Sequence, residues 1–153
     1  MKTYFAYGTL IGTEAMRELA PSAQPVGAMR LEGYELDFAA TSREGTGGCW
    51  LRPAEGGEVW GMQYEMTDAD RESMDAAAGI PERLWVNIPV TLTDLHGNRV
   101  ETTTYTIPDN PPPHRPTPDY TDKIRNGLAT AAGIPADYAA STNRRLDALH
   151  GKG

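Results

Sequence analysis

The residues with the clearest chemical potential form a short run near the N-terminus, Tyr7-Gly8-Thr9-Leu10, directly after an extended segment carrying Tyr4 and Phe5. Gly8 frees the backbone to turn and to approach a ligand closely. After such a turn, consecutive N–H groups converge on one point and form a cradle for a small anion. A carboxylate needs convergent donors more than it needs a side-chain charge, so the run suits one without Lys or Arg. A glycine at this point also serves a plain tight corner, and the run by itself leaves both readings open.

The other reactive residue types form no comparable constellation. His96, His114 and His150 fall in a turn, a proline-rich loop and a tail, without ligand spacing, so no metal is expected and each reads as a solvated surface residue. Ser22, Ser42, Ser73 and Ser141 lie in no nucleophile-elbow context. Cys49, on a short apolar stretch beside Trp50, reads as an inert core thiol. Gly45-Thr46-Gly47-Gly48 lacks the Lys-Ser/Thr of a phosphate loop and the helix that would follow it.

Bulk properties narrow the class further. A chain of 153 residues is expected to be one domain, residues 1–149, with 150–153 as a frayed tail. A net charge of −7, with no basic cluster beyond the Arg144-Arg145 pair, argues against a nucleic-acid or anionic-membrane partner. One cysteine fits a reducing compartment, and no apolar run approaches the roughly 18 residues of a membrane span. With no signal peptide at the start of the chain, a cytoplasmic location is expected. Oligomeric state is left open.

The elements that must position the Tyr7 run follow from periodicity and punctuation. Residues 2–7 should be a strand, and 14–19 a short helix ended by Pro21. Extended stretches are expected at 25–31 and 34–39, separated by a turn at Glu32-Gly33, then a polar loop over 41–48. A short strand at 49–52, a turn over 53–57 and a long strand over 58–66 come next, with Trp60 read as core. Thr67 followed by Asp68 and Asp70 marks a helix start, and Gly79-Ile80-Pro81 its stop. A hairpin is expected from 84–92 and 99–107 about Asp94–Asn98, then a proline-rich surface loop over 108–118. Helices at 119–132 and 136–149 close the chain. Many strands with a few separated helices argue for an α+β fold with a small mixed, barrel-like sheet flanked by helices.

Taken together, Tyr4–Leu10, Arg30–Phe38, Gly57–Gly61 and Thr117-Pro118-Asp119-Tyr120 resemble the gamma-glutamylcyclotransferase family, in the family's order and over roughly residues 2–148. The resemblance implies a small closed β-barrel flanked by helices, with the site in a cavity at its mouth. It implies that the backbone of Gly8, Thr9 and Leu10 holds the α-carboxylate of a small-molecule γ-glutamyl substrate, with Tyr7 lining the pocket. Trp85, Tyr105 and Tyr120 match family aromatic positions, Trp85 reading equally well as core or as pocket wall. The outer wall, which would select the leaving amine, would come from 41–48 and 108–118.

The family's reaction is intramolecular: the substrate's α-amine attacks its own γ-carbonyl, releasing 5-oxoproline and the free amine. It uses no cofactor, but a base must first take a proton from the ammonium. The family's base is a glutamate at a helix end, in the pattern D-x-x-E-G. The matching stretch here is Asp75-Ala76-Ala77-Ala78-Gly79, so alanine stands at the position of the base. Three readings compete: an engineered Glu-to-Ala variant, a natural binder of γ-glutamyl or amino-acid ligands, or another acid, Glu82 or Asp75, acting as base. The intact cap, glycine and remaining landmarks favour the first. The expected protein is therefore a gamma-glutamyl cyclotransferase form that binds its substrate but is nearly inactive.

Overall fold

The computed structural model describes residues 1–150. Five strands and four helices follow in the order β1 (Lys2–Ala6), α1 (Thr13–Leu19), β2 (Gln24–Ala40), β3 (Gly47–Met66), α2 (Asp68–Ala77), β4 (Val86–Thr93), β5 (Arg99–Thr106), α3 (Pro118–Thr130) and α4 (Ala136–Leu149). The strands form one sheet in the order β1-β3-β2-β4-β5. Every pairing is antiparallel, so the sheet is not mixed as expected. Of the expected tail, residues 151–153 lie outside the described residues, and His150 caps α4.

Nor is the sheet a closed barrel. β1 and β5, the first and last strands of the order, come together without a backbone ladder. Side chains bridge them instead. Thr3 and Thr102 share a hydroxyl hydrogen bond of 2.7 Å, and the Thr104 hydroxyl donates to the Phe5 carbonyl at 2.6 Å. Tyr7 donates its hydroxyl to the Tyr105 carbonyl at 2.6 Å. Thr102, Thr104 and Thr106 recur at every second residue and so share one face of β5. The Thr102 and Thr104 hydroxyls fill the seam where backbone groups would otherwise have to meet at ladder distance, while the Thr106 hydroxyl accepts from Leu51 N–H of β3 at 3.0 Å.

The largest departure from the expected elements lies in β2 and β3, which form one long ribbon rather than four short strands. Glu32 pairs with Glu58 and Tyr34 with Pro53, so β2 advances two residues while β3 advances five. The turn residues at Glu32-Gly33 and 53–57 therefore face one another as two sides of a single irregularity. Gly33 and Gly56 take the left-handed backbone there, at φ 88° and 76°.

Alternation along β1 divides the core. Phe5 and Tyr7 face a cluster with Leu31, Leu36, Val59 and Leu92, covered by Ile124 and Leu128 of α3 and Leu146 of α4. Tyr4 and Ala6 face the opposite cluster, with Met62, Tyr64, Met16 of α1 and Met74 of α2. Each large side chain fully withdrawn from water contributes about 2 kcal/mol, so the short strand β1 is held from both faces. Trp60, expected in the core, is half-buried and belongs to neither cluster. The proline-rich loop is docked rather than free: Ala40 N–H donates to the Pro112 carbonyl at 2.9 Å and His114 N–H to the Phe38 carbonyl at 3.3 Å. His114 is accordingly half-buried, as is His150, whose ring lies 3.3 Å from the Thr121 hydroxyl, so neither is the solvated residue expected.

Candidate active site

At the end of β1 the chain turns through Gly8, with Ile11 N–H donating to the Gly8 carbonyl at 3.3 Å. Among the described residues, the amides of Gly8 and Leu10 donate to no protein acceptor, and the Thr9 amide faces the Cys49 sulfur. The missing side chain of Gly8 has a packing reason: a Cβ there would sit 2.4 Å from Cys49 Sγ. Gly8 is thus required by the sulfur beside it as well as by the turn. The residues of this loop form one wall of a cavity of about 280 Å³.

Two aromatic side chains form another wall, and a single peptide of β3 fixes both. Cys49 N–H donates to the Tyr120 hydroxyl at 2.8 Å, and Trp85 Nε1–H donates to the Cys49 carbonyl at 3.1 Å. Gly48 lets the rings approach, since a Cβ there would lie 2.3 Å from the Tyr120 oxygen. Tyr120 is delivered by the start of α3, where the Thr117 hydroxyl accepts from Tyr120 N–H and Pro118 occupies the first turn.

The third wall is the end of α2, with Met74, Ala77 and Ala78. The Thr67 hydroxyl accepts from Asp70 N–H and starts this helix. Gly79, at φ 71°, ends it over Leu84. Ala78 is the C-terminal cap, placed on the cavity directly before the glycine.

Tyr7, Gly8, Thr9, Leu10, Ala78, Trp85 and Tyr120 thus border one cavity, joined by Tyr105. Neither alternative acid does. Asp75 accepts from the Tyr105 hydroxyl and from Arg71 Nε at 3.0 Å, and opens onto a separate polar hollow with Lys2, Arg71 and Asn87. Glu82 is exposed outside the cavity wall. The segments 41–48 and 108–118, expected as the outer wall, also stay out. Thr41 and Thr46 bond to each other across their own loop, and the proline segment docks on β2.

Sequence reasoning missed Arg71. Its side chain is buried, donates to the Thr3 carbonyl at 2.8 Å and to Asn87, and lies over the Tyr4 and Tyr105 rings, 5.2 and 5.3 Å from their centroids. An arginine on an exposed-looking helix gives no signal of such long-range partners. Tyr4 and Cys49 were likewise not foreseen as cavity residues; the alternation of β1 and β3 assigns faces but does not say where a cavity opens.

No side chain of the cavity is a base near neutral pH. Burial raises the Cys49 thiol to about 11, against smaller lowering effects of hydrogen bonds from Tyr120 and Thr9. Burial likewise holds Tyr7 and Tyr120 well above the usual phenol value, and Tyr4 and Tyr105 are raised for the same first cause. Among the described residues no group of three His, Cys, Asp or Glu is placed to hold a metal. The cavity therefore has aromatic and apolar walls beside the Gly8 turn and, among the described residues, no carboxylate side chain.

The AIG2-like family model matches residues 58–141, the stretch from the second half of β3 through α2 to α4. A gamma-glutamylcyclotransferase from Bos taurus is 31% identical over 145 residues, covering 92% of this chain and 76% of the bovine one. The chain belongs to the gamma-glutamylcyclotransferase family. The crystal structure of an uncharacterized protein from Homo sapiens superposes with a TM-score of 0.86 at 26% identity, over 93% of this chain and 86% of that one. A solved gamma-glutamyl cyclotransferase gives the same TM-score at 24% identity over 99% of both chains, a likeness of fold. The α+β architecture is thus the family's, and among the described residues no helix is long and apolar enough to cross a membrane.

Proposed function

We propose that the cavity binds small-molecule γ-glutamyl amines, with the α-carboxylate on the amides of Gly8 and Leu10, the Thr9 amide of the expected trio being turned to the Cys49 sulfur, and the γ-carbonyl directed toward the end of α2. The observation that carries this reading is the placement of unpartnered amides and Ala78 on one cavity within a gamma-glutamylcyclotransferase fold. In the reaction, a proton leaves the α-ammonium, the amine attacks the γ-carbonyl, and the five-membered ring closes. The bond to the leaving amine then breaks as its nitrogen gains a proton, giving 5-oxoproline and the free amine. The loop contributes positioning, and the aromatic walls favour the folded substrate. What the chain lacks is the proton acceptor, because Ala78 ends in a methyl group and Asp75 is held behind Tyr105. Binding should therefore outlast catalysis.

The test is Ala78→Glu. A carboxylate at this helix end meets an unfavourable dipole, which raises its pKa toward the working range of a base. Incubation with a panel of γ-glutamyl amines should release 5-oxoproline on the order of 10²–10⁴-fold faster from the variant than from the parent. Equal rates would assign the base to another group. Inactivity of both across the panel, with ligand binding retained, would favour a non-catalytic binding protein, a reading supported by the lack of an Asp or Glu among the described cavity residues.

A further inference from the structure

A γ-glutamyl group bound as proposed, the reading on which this inference rests, directs its leaving amine toward the end of α2 and the mouth of the cavity. Exposure locates that mouth. Tyr4, Tyr7, Cys49, Met74 and Tyr105 are buried and form the floor, whereas Leu19 is 40% exposed and Ala77 is exposed. Leu19 and Ala77 are the last residues of α1 and α2, so the two helix ends frame the opening. We propose that Leu19 is a specificity-determining residue, and that the chain takes γ-glutamyl derivatives of aliphatic amines bearing no carboxylate in preference to γ-glutamyl amino acids.

The rim suits an alkyl chain, because Leu19 leaves apolar surface in water that such a chain would cover, with the half-buried Leu10 on the same cavity. It does not suit an anion. An amino-acid leaving group carries its carboxylate on the carbon next to the scissile nitrogen, which brings that charge to the end of α2. There the carbonyls of Ala77 and Ala78 accept from no protein donor among the described residues, and they form the negative end of the helix dipole. No Lys or Arg among the described residues borders the cavity to offset it. The two framing helices carry six acids and only two arginines, and both arginines are committed elsewhere. Arg17 donates to the Ala23 carbonyl and to Gln24, and Arg71 to the Thr3 carbonyl, Asp75 and Asn87. A carboxylate at this rim would exchange water for methyl groups and like charge, whereas an alkyl group meets neither cost.

The parent lacks the base, so its ligands survive, and titration calorimetry on the full chain reads the selectivity directly. γ-Glutamyl-leucine and γ-glutamyl-3-methylbutylamine differ only by the leucine carboxylate, and γ-glutamyl-methylamine lacks the alkyl chain. On the parent, the 3-methylbutyl compound should bind about tenfold or more tightly than γ-glutamyl-leucine, and about three- to tenfold more tightly than the methyl compound. Leu19→Ala should shrink the preference for the longer chain to about twofold or less. Leu19→Arg, which supplies a cation at the rim, should abolish or reverse the preference over γ-glutamyl-leucine. If γ-glutamyl-leucine binds the parent as tightly as the 3-methylbutyl compound or tighter, the selectivity is refuted and the γ-glutamyl reading stands. Preferences unchanged by both substitutions would refute the role of Leu19. If none of the three binds, the γ-glutamyl reading falls, and the selectivity with it.

Discussion

Gly8→Ala adds one methyl group at the point where the turn packs on Cys49. The new Cβ would stand 2.4 Å from Sγ and 3.3 Å from Cβ of Cys49, against the roughly 3.5–4.0 Å at which such atoms rest. Rotation of the thiol gives limited relief, because its own Cβ is already close and the side chain is only 7% exposed. Overpacking of this kind costs about 1–3 kcal/mol. At roughly 2–4 °C per kcal/mol for a chain of this size, Tm should fall by about 2–12 °C. The sharper measurement is a thermal-unfolding cycle with Gly8→Ala, Cys49→Ala and the double variant. Removing Sγ leaves the 3.3 Å approach as the tightest contact, so the double variant should be more stable than the sum of the singles, by about 0.5–3 kcal/mol. Strict additivity, or a Gly8→Ala protein as stable as the parent, would show that the sulfur does not dictate the glycine.

Two further expectations concern the seam and the thiol. Thr104→Val, which strips the Phe5 carbonyl of its hydroxyl partner in a fully buried setting, should lower stability in urea by about 1–3 kcal/mol, while Thr103→Val on the adjacent half-buried position should change it much less. The Cys49 thiol is raised by burial from 9.0 to about 11, so the folded state holds its proton longer than the unfolded one. Its contribution is complete below the ordinary thiol value and is lost as pH rises toward about 11, so the stability gap between parent and Cys49→Ala should narrow across that window. A gap that widens with pH would reverse the sign of the argument.

Local chemistry made α2 legible in advance, since the Thr67 cap and Gly79 stop are written in adjacent residues and reappear at Asp68–Ala77. The β2–β3 ribbon was not legible. Gly33 and the 53–57 segment carry turn residues, and only their pairing partner decides whether such residues reverse a strand or bulge from it. The cavity positions around Tyr7, Ala78, Trp85 and Tyr120 could be anticipated because whole-chain landmarks fixed them together. Arg71 and Gly48 could not, because Thr3 and Tyr120, the residues that explain them, lie 68 and 72 positions away in the chain. The expected barrel closure failed for a related reason: β-branched residues suit any strand, and whether a threonine hydroxyl replaces a ladder hydrogen bond depends on the neighbour it meets.

The threonine seam also bears on how the molecule behaves in a crowd. An open antiparallel sheet has two edges whose unpaired N–H and C=O groups invite another chain to add a strand, the usual beginning of intermolecular β-aggregation. Here those edges are β1 and β5, and they shield one another: Thr104 occupies the Phe5 carbonyl and Tyr7 the Tyr105 carbonyl, while Thr3 and Thr102 meet between them. The sheet thus covers its two edges without the cylindrical register that full closure demands, and that cover rests on a few hydroxyl groups.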